Sequence, residues 1–399
     1  MSISKFIYSK KKYNEYRQEK FLGGLLSVDR DYIEHTSTIK LFKNIRIKSQ
    51  YSYNYRNVSI GSNFNFKFKR NIPILNKILK KIPQGYDDIY ICKHHIGEIY
   101  IFCQLLNQYI KNNGSQKPLL IIPEERYISL YEIFCPDIDK KYIKLNLRKM
   151  DIQVVNDETH YKGHRFFVPI PDRFATLRKL IFRQKQDIHF YDYIKQEMKI
   201  NVDNDFKPAF ISDFTKQRVI EKAKQLGLNL NKFVIFSTEA VTAMDLSHTF
   251  WIKLGEYFAS QGYQIYINTY TMSNEFKQNN AMLKENWLDK IPNSIKDFAK
   301  FDEIYHLAQL SHGVIALVNG LVVTFTQIDT PRFFFYTNQT PTIGDRMDAD
   351  TMLKSYRLDY LPGSNTKNLF EINLNEICEK DLFKFITESF EKILSEGVK

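Results

Sequence analysis

Ile89-Tyr90-Ile91-Cys92, then Lys93-His94-His95-Ile96-Gly97-Glu98, then apolar residues at helical spacing from Ile99 to Ile110, make a strand, a glycine turn and a helix in one short run. Four consecutive apolar residues bounded by a turn read as a buried strand. In an open parallel sheet, ligands sit outside the carboxyl ends of the strands, where loop N–H groups and helix N-termini point. Gly97 makes the turn and Glu98 stands in the first turn of the helix, a position suited to chemistry. The plainer reading is a first-turn carboxylate that complements the helix dipole, worth ~0.3–1 kcal/mol.

The same rhythm continues on both sides of a polar, turn-rich break at Asn201 to Pro208. Before it, strands are expected at Ile89–Cys92, Pro118–Ile122, Tyr142–Leu145 and Arg165–Pro169. Helices are expected at Ile99–Ile110, Arg126–Phe134 and from Asp172 to about Lys199. After it come a helix at Thr215–Leu226, a strand at Phe233–Phe236 ending in Ser237-Thr238, a helix at Thr249–Ser260 and a strand at Tyr263–Asn268. A helix at Asp302–Leu310, a strand at Gly313–Val318, the turn Asn319-Gly320, a short helix from Leu321 to Ile328, a strand at Arg332–Tyr336 and a long helix at Glu376–Leu394 complete the pattern. Alternation of this kind predicts an α/β fold: two Rossmann-like parallel-sheet domains facing a cleft, closed by a C-terminal helix. The expected division is a basic N-terminal region at 1–85, a first Rossmann-like domain at 86–205 and a second at 206–399.

A chain of 399 residues is too long for one core, and 43% apolar residues suffice to fill two. Cys92, Cys103, Cys135 and Cys378 lack C-x-x-C spacing, so free thiols in a reducing compartment are expected and a metal site is not. No apolar run reaches the ~18–20 residues of a membrane helix, and the first residues lack the apolar stretch of a signal peptide. These readings point to a cytoplasmic protein that would meet a membrane only as a peripheral one. The charge is uneven: residues 1–81 hold 18 Lys/Arg against 5 Asp/Glu, a net of +13, whereas the remainder nets −1. Such a region suits an anionic membrane face or nucleic acid, or is a solvated, lysine-rich surface. Within it, Lys10-Lys11-Lys12 suggests an exposed segment, Asn63 to Arg70 alternates as a half-buried strand does, and Ile72 to Ile82 fits a basic amphipathic helix, interfacial or packed on a core. No short-period repeat is evident.

The order of elements resembles the bacterial heptosyltransferases of lipopolysaccharide synthesis, which have the GT-B fold. That family opens with a strand and a Gly-Asp turn whose Asp is the proposed base; Gly97-Glu98 stands at that place here. Pro136-Asp137-Ile138-Asp139 looks like the family's Pro-x-hydrophobic-Asp. Gly320 and Pro331 keep the spacing of the family's second-domain motif, although Val318, Asn319 and Val323 replace its Asp, Ser/Thr and His. Ser237-Thr238 match hydroxyl residues that bind donor phosphate, and Glu275 stands for an acidic residue that holds the donor ribose. The resemblance covers about residues 88–396. It implies a glycosyltransferase acting on a nucleotide-diphosphate sugar and a saccharide or lipid-linked acceptor, in lipopolysaccharide or capsule synthesis, with no cofactor besides the donor and no metal.

The chemistry makes sense of these positions independently. A nucleotide-sugar transferase must stabilise a leaving diphosphate while activating an acceptor hydroxyl. Helix N-termini and hydroxyls can take the phosphate charge, which assigns Ser237, Thr238, Asn319, Gly320, Leu321 and Thr324 to the donor. Glu98 would accept the acceptor's proton, with Lys93, His94 and His95 in the acceptor loop. Each has a duller alternative: Ser237-Thr238 as caps, Asn319-Gly320 as a turn and the histidine pair as structural. A non-catalytic protein of the same fold, or one binding nucleic acid or membrane through residues 1–81, are the competing readings; nucleic acid is the weakest, since no recognition module is present.

Overall fold

The computed structural model describes residues 8–13, 16–21, 26–31, 36–41, 45–51, 55–60, 64–69, 72–92, 96–145, 158–168, 187–201, 207–238, 246–269, 287–338 and 347–396. They form three sheets. The first is a seven-stranded antiparallel meander: β1 (Tyr8–Tyr13), β2 (Tyr16–Phe21), β3 (Leu26–Asp31), β4 (Thr36–Leu41), β5 (Ile45–Tyr51), β6 (Tyr55–Ile60) and β7 (Phe64–Lys69), each paired with the next in sequence. Only β7 is legible as a strand in the sequence. The lysine run 10–12 lies inside β1, paired with Glu19, Gln18 and Arg17. A meander needs only local pairing, and its strands here are polar enough to read as surface loop.

Helix α1 (Ile72–Leu79) leads into the second sheet. Leu75 and Ile78 are buried against β8 (Asp88–Ile91), β9 (Pro118–Ile122) and β12 (His164–Phe167), in a core that also holds Ile89, Leu119 and Phe166. The interfacial reading of this segment is therefore corrected: its apolar face covers a sheet, and Lys77, Lys80 and Lys81 stay exposed. The sheet order is β10-β9-β8-β12-β11, with β10 at Lys140–Tyr142 and β11 at Glu158–Tyr161. Its pairs are parallel except the hairpin of β11 with β12. Parallel strands buried on both faces read as continuous apolar runs, which is why Ile89–Ile91 and Leu119–Ile122 were legible. The other face carries α2 (Ile96–Asn112), α3 (Ile128–Phe134) and α4 (Phe190–Glu197). The long helix expected from Asp172 is corrected where it is described: residues 187–189 are non-helical, and the His189 imidazole caps α4 by accepting the Tyr191 N–H at 3.1 Å.

The third sheet has the order β15-β14-β13-β16-β17-β18, all parallel. Its strands are β13 (Phe233–Ser237), β14 (Gln264–Asn268), β15 (Ser294–Asp297), β16 (Val314–Leu317), β17 (Arg332–Tyr336) and β18 (Leu369–Asn373). In sequence order this is 3-2-1-4-5-6, the doubly wound Rossmann order. The edge strands β15 and β18 were missed because they are short and half-buried, without a clean apolar run. Helices α5 (Asp213–Leu226) and α7 (Phe301–Leu310) cover the face that continues into the core of the second sheet. Helices α6 (His248–Ser260) and α9 (Glu379–Ser395) cover the other, through Trp251, Phe258, Ile386 and Phe390. α5 starts on Ser212, whose Oγ accepts the Thr215 N–H, and stops on Gly227 at φ +70°, a left-handed position suited to glycine. Asp348 caps α8 (Ala349–Tyr356), its carboxylate accepting the Thr351 N–H at 2.8 Å, and Met347 and Ala349 are buried. The two Rossmann-like sheets share one apolar core, with Tyr100, Phe134 and Tyr305 in edge-to-face contact across the join. This is the GT-B arrangement.

Candidate functional site

In the third sheet the strand order reverses between β13 and β16, and the crevice outside their carboxyl ends is the expected ligand position. Ser237 ends β13 and Thr238 follows it; both are buried. Asn319 follows β16 and its Nδ2 donates to Ser237 Oγ at 3.4 Å. The sequence thus brings three expected donor residues to one crevice. Asn319 Oδ1 accepts from Leu321 N at 2.8 Å and Val322 N at 3.3 Å, at the start of the short 3₁₀ helix Val322–Gln327. Leu321 N is one of the N–H groups expected to face a phosphate; the Asn319 amide oxygen occupies it and its neighbour Val322 N. Thr324 is buried and its hydroxyl donates to the Leu321 carbonyl at 2.6 Å, closing its own turn.

The second sheet supplies the other side. Its order reverses between β8 and β12, and α2 follows β8. Helix α2 directs its N-terminus, with its partial positive charge, at the Asn319-Gly320 turn. The approach is backbone on backbone. A Cβ at Gly97 would lie 3.6 Å from Gly320 Cα and 3.3 Å from Val323 Cγ2, and a Cβ at Gly320 would lie 3.1 Å from both Gly97 N and Ile96 Cβ. Glycine at both positions removes the side chains that would hold the two turns apart. Glu98, next to Gly97, is only 7% exposed. Gly97, Glu98, Ser237, Asn319, Gly320 and Leu321 are therefore drawn to one junction. Lys93, His94, His95 and Glu275 lie outside the described residues.

Several residues that the sequence reading passed over hold this junction. Tyr100 OH and Thr326 Oγ1, both buried, are 2.9 Å apart and tie α2 to the 322–327 turn. Lys207 N donates to Gln104 Oε1 at 3.0 Å and Ala209 N to Gln327 Oε1 at 3.1 Å, so the crossover chain is fastened to both halves. Beneath the turn lies Arg332, fully buried. Its Nε donates to Thr330 O, Nη1 to Phe325 O and Thr326 O, and Nη2 to Asn365 O and Lys367 O. All five guanidinium N–H donors are thereby used. Burial brings its pKa down to about 10, which leaves it charged at neutral pH. The available signal was a lone charge heading the apolar run Arg332-Phe-Phe-Phe-Tyr336.

Among the described residues no group of three or more His, Cys, Asp or Glu is arranged to hold a metal ion. Cys92, Cys103 and Cys135 are buried and Cys378 is exposed, all as free thiols.

No protein-family model matches the chain, and no curated protein matches it in sequence. Solved structures are similar to it in fold. The Escherichia coli ADP-heptose lipopolysaccharide heptosyltransferase II is 10% identical, with 77% of this chain and 99% of that one covered at a TM-score of 0.44. A family 9 glycosyl transferase from Veillonella parvula is 12% identical over 78% of this chain and 99% of its own, at a TM-score of 0.48. The iron-containing dodecameric glycosyltransferase TibC of enterotoxigenic E. coli is 9% identical over 82% and 76%, at a TM-score of 0.40.

Proposed function

We infer that the chain is a glycosyltransferase that moves a sugar from a nucleotide-diphosphate sugar to a saccharide acceptor of a bacterial surface glycan, lipopolysaccharide or capsule. What carries this reading is the contact of Gly97 with Gly320, which sets the carboxylate-bearing turn of one Rossmann-like half against the switch-point turn of the other. In this scheme the donor lies on residues 206–399 and the acceptor, free or lipid-linked, on residues 86–205. Glu98 takes the proton of the acceptor hydroxyl as its oxygen attacks the anomeric carbon. The bond from that carbon to the diphosphate oxygen breaks, and its electron pair leaves with the nucleoside diphosphate. Ser237 and Thr238 hydroxyls and the N–H groups of Leu321 and Val322 receive that charge, once Asn319 Oδ1 yields them to a phosphate oxygen. The Asn319 amide would thus hold the anion position open for the donor. Thr324, from its buried position, shapes that turn, while Lys93, His94 and His95 would contact the acceptor and Glu275 the ribose.

Calorimetric titration with a panel of nucleotide-diphosphate sugars should give saturable binding to one of them. Absence of binding to all would favour the non-catalytic reading, which the valines at positions 318 and 323 motivate. With the donor identified, Glu98→Gln should lower turnover by about 10²–10⁴-fold at unchanged donor affinity. Full turnover in that variant would remove Glu98 as the base.

A further inference from the structure

Two kinds of contact join the halves of the molecule. One is the buried seam on α2: Tyr100 meets Thr326 and Phe134, while Gln104 and Gln327 pin the crossover chain at Lys207 and Ala209. The other lies at the β18 edge of the third sheet, where α4 and the residues before it meet α8 and the residues after it. There His189 Nε2–H donates to Arg357 O at 3.0 Å, Tyr360 OH donates to Asp192 Oδ2 at 2.7 Å, and Lys354 pairs with Asp187 at 2.7 Å. The His189 and Tyr360 rings are 4.4 Å apart, and those of Phe190 and Tyr356 5.0 Å.

The two contacts differ in character. The seam is made of buried side chains within one continuous apolar core. The edge contact is mostly polar, and its residues line a cavity of about 740 Å³ between the halves. The Lys354 and Asp187 side chains are 64% and 66% exposed, and an ion pair so exposed contributes little. Parting the halves here uncovers little apolar surface, since the cavity already separates the layers, whereas parting the seam would expose a core. Local opening falls where buried apolar contacts are few. The cavity also reaches Asn373 and Glu376 at the carboxyl end of β18, the end of the sheet on which the β13–β16 crevice lies.

We propose that the edge contact is a latch whose release, favoured by acid, parts the halves at β18 while the Tyr100–Gln104 seam serves as the pivot. The charged groups facing His189 are Asp187 and Asp192 on its own segment, Lys354 on α8, and Arg357 and Asp359 after it; Asp350, Glu371 and Glu376 also line the cavity. Burial brings the His189 pKa from 6.5 to about 4, although Asp192 and Asp359 favour the charged ring. Opening restores water to the ring and leaves it among carboxylates, so the open form takes up a proton near pH 6.5. The open-to-closed ratio therefore rises about ten-fold per pH unit from ~6.5 down to ~4. Burial holds the Glu371 carboxyl above its ordinary range, but Glu371 bonds to Leu358 N, Asp359 N and Tyr336 OH within the second half and does not cross the latch. The latch does not depend on the transferase reading.

The test is double electron–electron resonance on the full-length protein with Cys378→Ser, the other three cysteines being buried. Nitroxides on Gln196→Cys and Thr366→Cys span the latch, and on Glu132→Cys and Gln309→Cys the seam; all four positions are exposed. Between about pH 7.5 and about pH 5 the latch pair should gain a longer-distance population, its ratio to the short one rising roughly 30-fold, while the seam pair stays unchanged. Tyr360→Phe should raise that ratio about ten-fold at either pH. In His189→Asn, which does not titrate, the ratio should be the same at both. No longer-distance population at about pH 5, in the parent or in Tyr360→Phe, overturns the proposal. Equal lengthening of the seam pair would overturn it in favour of general loosening, and a pH response retained by His189→Asn would overturn His189 as the sensor.

Discussion

Replacing Arg332 by Met removes the five donors that gather the end of the 322–327 turn, Thr330 and the 365–367 segment around one guanidinium. Two of the five carbonyls retain another donor: Phe325 O accepts Ile328 N at 3.4 Å, and Thr326 O accepts Asn365 N at 2.8 Å. The other three, of Thr330, Asn365 and Lys367, lose the bond that Arg332 made. At about 1–3 kcal/mol for each buried acceptor left unsatisfied, the loss is roughly 3–9 kcal/mol. Relief from keeping a guanidinium out of water offsets several of these. The expected net cost is about 3–5 kcal/mol, a large part of a typical ~5–15 kcal/mol stability. Arg332→Lys keeps the charge but offers a point donor in place of the planar fork, and should cost about half as much. Both tryptophans, Trp251 and Trp287, are buried in the core of the same third sheet, so urea unfolding followed by tryptophan emission reports on the domain concerned. A loss below about 1 kcal/mol at unchanged m-value would refute the argument, since it would mean the carbonyls find water or one another at little cost. Because Arg332 holds the end of the 322–327 helix that follows Asn319 and Gly320, folded Arg332→Lys should also bind the donor more weakly.

Gly320→Ala would put a methyl 3.1 Å from Gly97 N and from Ile96 Cβ, so the halves must separate locally. A loss of about 1–3 kcal/mol with weakened donor binding is expected, and unchanged thermal unfolding would contradict it. Tyr100→Phe removes the link to Thr326 and should cost about 1 kcal/mol; a double-mutant cycle with Thr326→Val should show the two losses to be non-additive. His189 is held neutral, with burial bringing its pKa from 6.5 to about 4; Nδ1 accepts Tyr191 N–H and Nε2–H donates to Arg357 O. Between those values the unfolded chain binds the extra proton, so this contribution is complete above pH ~6.5 and is lost as pH falls toward ~4, roughly 3 kcal/mol in all. His189→Asn, which keeps a cap but does not titrate, should flatten that part of the stability–pH curve, and an unaltered curve would exclude His189 as its source.

The Rossmann alternation could be read from the chain because its central strands are buried on both faces. Ile89–Ile91, Leu119–Ile122 and Phe233–Phe236 must then be uninterrupted apolar runs, and the helices between them carry apolar residues at helical spacing on the side that packs. The same logic located the loops after β8, β13 and β16, and so most candidate site residues, since a ligand position follows from strand order. The meander was illegible for the opposite reason: its strands are short and lysine-rich, without an uninterrupted apolar run. The role of α1 also depended on packing, because an amphipathic stripe fits a membrane surface and a sheet equally well until a sheet is found beneath it. The closest approach in the site is the least visible in sequence. Gly97 and Gly320 look like turn residues, and Tyr100 and Thr326 are ordinary core residues 226 positions apart. Sequence determined which residues stand at the carboxyl ends of the strands, because burial dictates the strands themselves. Only the tertiary structure decided that two such ends meet glycine against glycine, because a contact that works by the absence of side chains leaves no pattern in the chain on either side.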